Sequence, residues 1–516
     1  MRHELTAFQT LLRQHAFEHP DAVAVQGDAQ RYTYRQLLDE VESRAGCLRS
    51  QSPGTFAVVL DNGPEALFWD LAALFAERAS VTVPSFFSAT QFQHCLQQSG
   101  VTAVVCQAQW AEQLIALGFA RQAPAGVWQR DSFVAPALPE GTAKITYTSG
   151  STGTPKGVCL SAETLLRVAH ELEAASRPTE PQRYLAVLPL GVLLENLGVY
   201  AALMAGACVQ LYPQQQLGMG GASQVDFKRL LGAIALSGAQ SLILVPQLLM
   251  GLVTAIERGL MRVGPLRLVA VGGARVSPSL LPIERGLMRV GPLRLVAVGG
   301  ARVSPSLLAR AEAVGLPVFE GYGLSECASV VALNRTGAVR PGSVGKPLPH
   351  VQVRIAEDGE VLVAGSTLLG YLGEPPVTGQ WWATGDVGHL DEEGYLYLDG
   401  RKKHQFITSF GRNVNPEWVE AELSQSGVIA QAFVHGEALP RNLALLWPLD
   451  PGISDEGIEQ AVQQCNARLP DYARVHAWRC LPVPLSTLDE TLTANGRPRR
   501  EAILQRYHTL LSDISL

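Results

Sequence analysis

The sequence predicts an α/β protein: a large amino-terminal part built on a mostly parallel sheet, then a smaller unit after residue 400. Three observations lead there. The chain has 516 residues, too many for one ordinary core. Short β-rich runs alternate with helix-like stretches, the pattern of a sheet joined by helical crossovers. Near residue 400 the texture then changes to a polar alternation followed by a basic run.

The elements follow in order. Residues 56–60 read as a strand, and 64–77, opening on Pro64, as the helix after it. Residues 101–106 and 241–245 are further strands. Residues 394–400 (GYLYLDG) alternate as a half-buried strand, and Arg401, Lys402, Lys403 and His404 follow. The boundary falls there, giving a large domain over 1–400 and a small one over 401–516. Residues 416–423 read as a helix with proline in its first turn.

Composition narrows the function. Apolar residues make up 47% and charged residues 17%, a globular balance. With 41 basic against 47 acidic residues, the net charge of −6 offers no excess to neutralise phosphate backbones, so a nucleic-acid partner is not expected. The eight cysteines form no CxxC pair and no zinc-ligand spacing, which fits free thiols in a reducing cytoplasm. Residues 1–16 lack the apolar core of a secretory signal. The most apolar stretch, 185–209, is broken by Glu195 and Asn196, so no transmembrane segment is expected.

One segment is duplicated. Residues 256–281 recur unchanged at 283–308, a period of 27 residues in two copies. Two copies are too few for a solenoid, so this reads as a recent tandem duplication. Each copy carries one apolar strand, 266–271 or 293–298, and a Gly-Gly turn. Pro282 follows the first copy where a helix would be starting, and a proline inside a helix costs roughly 3 kcal/mol. The second copy runs on into a helical stretch at 309–315. The second copy is therefore expected to supply the native strand, with the surplus looping out or pairing elsewhere.

The strongest chemical signal is residues 148–157 (TSGSTGTPKG). Three glycines, five hydroxyls and one lysine fall within ten residues. Glycines let backbone N–H groups turn inward as an anion nest. Thr148, Ser149, Ser151 and Thr152 add hydroxyl donors beside Gly150 and Gly153, and Lys156 adds a point charge. This composition suits a polyphosphate. It is not a Walker A loop, because Gly150 and the next four residues lead into Pro155-Lys156-Gly157 instead of Gly-Lys-Ser/Thr. Strand-like residues flank it on both sides.

That loop resembles the phosphate loop of the adenylate-forming superfamily, which includes acyl-CoA synthetases and peptide-synthetase adenylation domains. Further motifs follow in the family's order over nearly the whole chain. The resemblance implies a large multi-subdomain amino-terminal domain and a small mobile α+β carboxyl-terminal domain. It implies ATP, Mg²⁺ and CoA as ligands. Residues 320–326 (EGYGLSE) resemble the adenine and magnesium motif. There Tyr322 packs on the base, Gly321, Gly323 and Ser325 belong to the nucleotide contacts, and Glu326 helps hold Mg²⁺. Gly300, in the Gly-Gly turn of the second copy, is assigned to the same pocket. Thr384-Gly385-Asp386 resembles the ribose motif, with Asp386 accepting from the ribose hydroxyls. Arg401 falls near ribose and phosphate, Lys403 on the hinge, and Gly411 in the segment of CoA-side contacts.

The family ends in a Gly-Lys whose lysine reaches the substrate carboxylate and the α-phosphate. Here Gly496 is followed by Arg497, which keeps the charge but presents a planar fork. This implies slower adenylation or a bidentate contact doing the same task. A nucleotide-binding relative without turnover is the other reading. Lys156, Glu326 and Arg497 are the expected catalytic residues.

Residues 188–206 resemble the pocket motif of fatty acyl-CoA synthetases, with Val192 where a histidine often stands. No aspartate lies between Tyr184 and Leu194 to pair a substrate ammonium, so an amino acid is disfavoured. The expected substrate is a hydrophobic, fatty-type acid, and the acceptor CoA or a free acyl carrier protein. A biosynthetic adenylating role is a further alternative.

Overall fold

The computed structural model describes residues 2–515 other than 52, 85–86, 123–125, 131–136, 149–155, 221–223, 264–268, 272–287, 291–294, 299–302, 317, 411 and 494–495. Gly300 and Gly411 therefore lie outside the described residues.

Helix α1 (Pro64–Phe75) starts on a proline whose fixed φ suits a first turn, and residues 66–75 are all buried. It packs beside an eight-stranded sheet. That sheet runs Gly370–Tyr371, β2 (Lys156–Ser161), β1 (Thr142–Thr148), Ser80–Thr82, Thr55–Val59, Val101–Cys106, Val127–Gln129 and Ala120–Gln122. Strands β1 and β2 are antiparallel partners with Thr148 opposite Lys156. The stretch between them, with Ser149, Gly150, Ser151, Thr152 and Gly153, is outside the described residues, as is the Thr148 side chain.

A second, ten-stranded sheet holds β3 (Arg183–Leu185). The chain leaves β3, returns as α2 (Leu193–Met204) and re-enters as Cys208–Gln210, parallel to β3. The helix therefore runs from the carboxyl edge of the sheet back to its amino edge. Strand β4 (Ser241–Leu244) follows, then α3 (Pro246–Glu257), again started by proline.

The duplicated segment supplies β5 (Val269–Val271) and β6 (Leu295–Val298), and then α4 (Pro305–Ala313), capped by Ser304. Strand β7 (Val318–Tyr322) lies beyond. Both copies sit between β4 and β7 at one register: Ile243 stands opposite Ala270 and Ala297, and so does Phe319. The sheet has a single position there, and the two copies are equivalent partners for it by sequence. The second copy is the one that runs on into α4. The surplus also finds a partner in its own duplicate: Met261–Val263 pairs in parallel with Met288–Val290.

Strands β8 (Trp382–Leu390) and β9 (Leu396–Arg401) belong to a four-stranded antiparallel sheet with Val351–Ile355 and Glu360–Gly365. Beyond it, α5 (Pro416–Ser424) packs on a three-stranded mixed sheet, in a buried cluster drawn from residues 406–475. The α/β class with a small α+β carboxyl-terminal unit holds. Among the described residues, no helix is long and apolar enough to cross a membrane.

One buried polar cluster joins the two sheets. Lys144 on β1 donates to Asp70 on α1 at 2.6 Å and to Asn196 on α2 at 2.6 Å. Tyr200 donates to Asp70 at 2.6 Å, and Asn196 does so at 2.9 Å. Burial opposes the charge on Asp70, but Lys144 and the other donors outweigh it and hold its carboxyl below the usual range.

Candidate active site

The carboxyl edge of the ten-stranded sheet opens on a broad cleft. This is where open α/β sheets take ligands. Its walls come from the start of α3, the start of α4, the end of β7, strands β8 and β9, helix α5 and residues 496–500. Gly321, Tyr322, Gly323, Asp386, Arg401 and Arg497 all line it, with Gly496 beside the last, so six residues proposed from distant motifs meet in one space.

Their bonds are specific. Tyr322, at the end of β7, donates its hydroxyl to Asp386 Oδ2 at 2.5 Å. Arg401, at the end of β9, pairs with Asp386 Oδ1 at 2.9 Å and donates to the Thr384 carbonyl at 3.0 Å. Asp386 and Arg401 are cross-strand partners, which explains how residues fifteen apart come together. Burial pushes the Asp386 carboxyl up, and Arg401 and Tyr322 pull it back. Gly323 is a packing requirement: a Cβ there would lie 1.7 Å from the Ser329 carbonyl oxygen. The turn after Glu326 also holds Ala328 and Ser329 at φ 48° and 71°, left-handed conformations that cost energy outside glycine.

Arg497 stands among the cleft walls and is open to the solvent of the cleft. The surrounding protein and the like charge of Arg401 lower its pKa, opposed by Glu417, Asp386 and Glu326. Arg497 thus shares the cleft with the carboxylates of Asp386 and Glu417.

Glu326 and Lys156 form a second group. Tyr371 donates to Glu326 Oε1 at 2.8 Å, and the Lys156 ammonium sits 5.0 Å from the Tyr371 ring centroid. Lys156 also pairs with Glu374 at 2.9 Å. Ser325 opens the short turn that carries Glu326. Lys403 is exposed just past β9, beside Lys402, which pairs with Asp358 at 2.6 Å and Glu360 at 2.8 Å. Neither Lys403 nor Lys156 is among the residues lining the cleft.

Sequence reasoning missed four participants. His404 Nδ1 lies 2.6 Å from Glu417 Oε1, and both line the cleft. Burial works against the charge on Glu417, but His404, Arg497 and Arg500 hold its carboxyl down at about 2. Tyr371 and Glu374 bracket Lys156. Only the position of His404 in the basic run offered a signal.

The apolar segment behind the cleft is also ordered by one acid. Glu195, in the first turn of α2, is fully buried. It accepts from the Tyr184 hydroxyl at 2.5 Å and the Leu188 N–H at 2.8 Å. Burial pushes its pKa up from 4.5 to about 8, against the pull of those donors. The folded state therefore keeps its proton where the unfolded chain loses it. That contribution is fully present below pH 4.5 and is lost as pH rises towards 8. Denaturant titrations between pH 5 and 8 are expected to show falling stability, with a flatter slope in Glu195→Gln. An equal slope in both proteins rejects the assignment.

A family model described as AMP-binding enzyme matches residues 12–383, and one described as AMP-binding enzyme C-terminal domain matches 403–514. Among curated proteins, the chain is 29% identical over 422 residues to the long-chain-fatty-acid–CoA ligase FadD15 of Mycobacterium bovis, covering 71% of this chain and 68% of that one. It is 27% identical over 471 residues to a 2-succinylbenzoate–CoA ligase of Enterococcus faecalis, covering 86% and 85%. Among solved structures, it resembles the anthranilate CoA ligase AuaEII in complex with anthranoyl-AMP, with TM-score 0.76, 17% identity and 98% of each chain covered. It also resembles O-succinylbenzoate coenzyme A synthetase (MenE) from Bacillus subtilis in complex with AMP, with TM-score 0.69, 21% identity, and 95% and 97% covered. At that identity the likeness speaks to the fold.

Proposed function

The chain belongs to the AMP-binding enzyme family, and from that premise we propose that it is an acyl-CoA ligase that activates a hydrophobic, fatty-type acid with ATP. A carboxylate oxygen attacks the α-phosphorus, the bond to the β-phosphate oxygen breaks, and pyrophosphate leaves. The CoA thiol then attacks the acyl carbon of the acyl-adenylate, AMP leaves, and the thiol proton passes to solvent.

The observation that carries this reading is the convergence of Tyr322, Asp386, Arg401 and Arg497 on one cleft. Tyr322 offers a flat face for adenine, and Asp386 carries acceptors for ribose hydroxyls. Arg401 keeps Asp386 charged and oriented. Arg497 stabilises the charge that develops at the α-phosphate, and a preorganised cation at that point contributes strongly to catalysis. Lys156, at the end of the hydroxyl-rich loop, holds the leaving phosphates.

Glu326 is the residue that would hold Mg²⁺. Among the described residues, no three His, Cys, Asp or Glu side chains form a metal cage. An ion of this kind is carried by one carboxylate and by the nucleotide's own phosphates. Bound there, it supplies neutralising charge to the triphosphate.

The acid side is apolar. Leu188, Leu190, Leu193 and Leu197 are buried, and the one carboxyl among them, Glu195, is already bonded internally. Such a wall favours an uncharged chain over an amino acid. The small domain begins at 401 and turns about Lys403 between the two half-reactions.

The test is acid-dependent ATP–pyrophosphate exchange over a panel of straight-chain acids, followed by CoA-dependent AMP release. Exchange with at least one aliphatic acid is expected. ATP binding with no exchange for any acid rejects the reading and leaves a nucleotide-binding protein.

A further inference from the structure

The cation on which the proposed adenylation depends is carried by a loop, and loops move unless something holds them. Arg497 ends a tight turn. The Thr493 N–H donates to the Arg497 carbonyl at 2.8 Å, the Gly496 N–H to the Thr493 carbonyl at 2.8 Å, and the Arg497 N–H to Thr493 Oγ1 at 3.1 Å. Gly496 has φ 73°, the left-handed region that glycine enters without steric cost. Beyond the turn the two legs pair: Leu492 stands opposite Pro498, and the Arg499 N–H donates to the Thr491 carbonyl at 2.9 Å. These bonds fix the shape of the turn. Its place in the cleft depends on what the legs are tied to.

Both legs are tied to one strand, β10 (Ile429–His435). On the leading leg, the Gln431 side-chain amide donates to the Leu485 carbonyl at 3.0 Å and accepts from the Leu485 N–H at 2.7 Å. On the trailing leg, Arg500 opens helix α6 (Arg500–Arg506). Its Nη1 donates to Glu420 Oε1 at 2.8 Å, and its Nη2 donates to the Val434 carbonyl. The guanidinium carbon lies 4.5 Å from the centre of the Phe433 ring. Glu420, on α5, is 2% exposed, and the same oxygen also accepts from the Val434 N–H at 2.8 Å.

This second tie is close to the reacting end. Arg500 is three residues from Arg497. Glu417, three residues before Glu420 and so on the same face of α5, lines the cleft with Arg497. Arg500 and Glu420 border the cleft as well. The Arg500 guanidinium is already engaged, with a carboxylate on one terminal nitrogen, a carbonyl on the other and a ring against it.

Resting on the reading of Arg497 as the cation at the α-phosphate, we infer that Arg500 and Glu420 are positioning residues for adenylation, which set where the Arg497 turn stands in the cleft. A planar fork that grips a buried carboxylate and a carbonyl together fixes direction as well as distance, which a single ammonium does not. The pair takes no part in bond making or breaking.

The experiment measures ATP–pyrophosphate exchange, and CoA-dependent AMP release from synthetic acyl-adenylate, in Arg500→Met, Arg500→Lys and Glu420→Gln. Each is made in the full chain with Arg497 intact and again with Arg497→Ala. With Arg497 intact, Arg500→Met is expected to lower kcat for exchange by about 10- to 100-fold, because a displacement of about 1 Å is that costly. The KM for ATP and the rate of AMP release are expected to change little. Arg500→Lys keeps a charge beside Glu420 but loses the fork, and is expected to recover part of the loss. Glu420→Gln keeps an acceptor for the Val434 N–H and is expected to show a smaller loss of the same kind. With Arg497→Ala, none of the three is expected to slow exchange further, since residues that act through one another are not additive.

Equal factors in both backgrounds, or equal losses in exchange and AMP release, mark a merely structural role and overturn the inference. Wild-type exchange in folded Arg500→Met overturns it too. If Arg500→Met does not fold, Arg500→Lys carries the same comparison. No exchange with any acid in the wild-type chain, or wild-type exchange in Arg497→Ala, instead overturns the reading beneath it.

Discussion

Arg497→Ala is expected to slow acyl-adenylate formation by about 100-fold or more, while CoA-dependent release of AMP from a supplied acyl-adenylate changes little. The reason is location. The guanidinium lines the cleft with Asp386 and Glu417, where, on the proposed reading, a cation meets the charge that builds on the α-phosphate. Removing one preorganised contact of that kind costs on the order of 100- to 1,000-fold. Arg497→Lys restores the charge as a compact ammonium but loses the planar fork. It is expected to recover most of the loss and to fall short of wild type, since displacement of a reacting contact by about 1 Å is itself costly. Stopped assays of pyrophosphate exchange, beside AMP release from synthetic acyl-adenylate, separate the two half-reactions. Equal exchange in Arg497→Ala and wild type would remove Arg497 from the mechanism.

Deleting residues 256–282 is expected to raise soluble yield and sharpen the unfolding transition while keeping adenylation. The remaining copy would occupy the position between β4 and β7 without a competitor, and Glu284 would take the place of Glu257, which now pairs with Arg310 at 2.7 Å. Deletion of residues 282–308 yields the same protein, because the repeats are identical. Substitutions test the contest directly. An aspartate in a central parallel strand, covered on both faces, costs several kcal/mol. Ala270→Asp alone is expected to be mild, because the second copy leads directly into α4. Ala297→Asp alone drives the first copy into the sheet and is expected to cost more. Both together leave no acceptable strand and are expected to abolish soluble protein. If Ala297→Asp alone is as damaging as the pair, the first copy cannot substitute. If the deletion lowers yield and activity, the surplus segment is not a burden.

Contiguous chemistry was legible in the chain itself. Tyr322, Asp386 and Arg401 each sit in a short motif, and the motifs' order implied their meeting. The helices opened by Pro64 and Pro416 were legible too, because proline marks a first turn locally. What was hidden depends on contacts between remote residues. Nothing near Tyr371 announces that it bridges Glu326 and Lys156, and Glu417 looks like any first-turn acid until His404 is found beside it. Glu195 read as an interruption in an apolar run, whereas its partner Tyr184 lies on a strand eleven residues earlier. The contested strand was half legible: the repeat was plain, but one position at one register is a property of the neighbours, β4 and β7.

The cluster of Asp70, Lys144, Asn196 and Tyr200 has a historical consequence. It ties strand β1, which leads into the hydroxyl-rich loop, to helices α1 and α2. Losing one member strands a charge or a donor away from water, and breaking a buried pair in this way costs about 3–5 kcal/mol. Exchanging the whole set for apolar residues of similar shape can cost nothing. Descendants of this chain can therefore abandon the cluster only through a valley of unstable intermediates, and its persistence across a lineage would record that barrier, with no need to invoke service to the reaction.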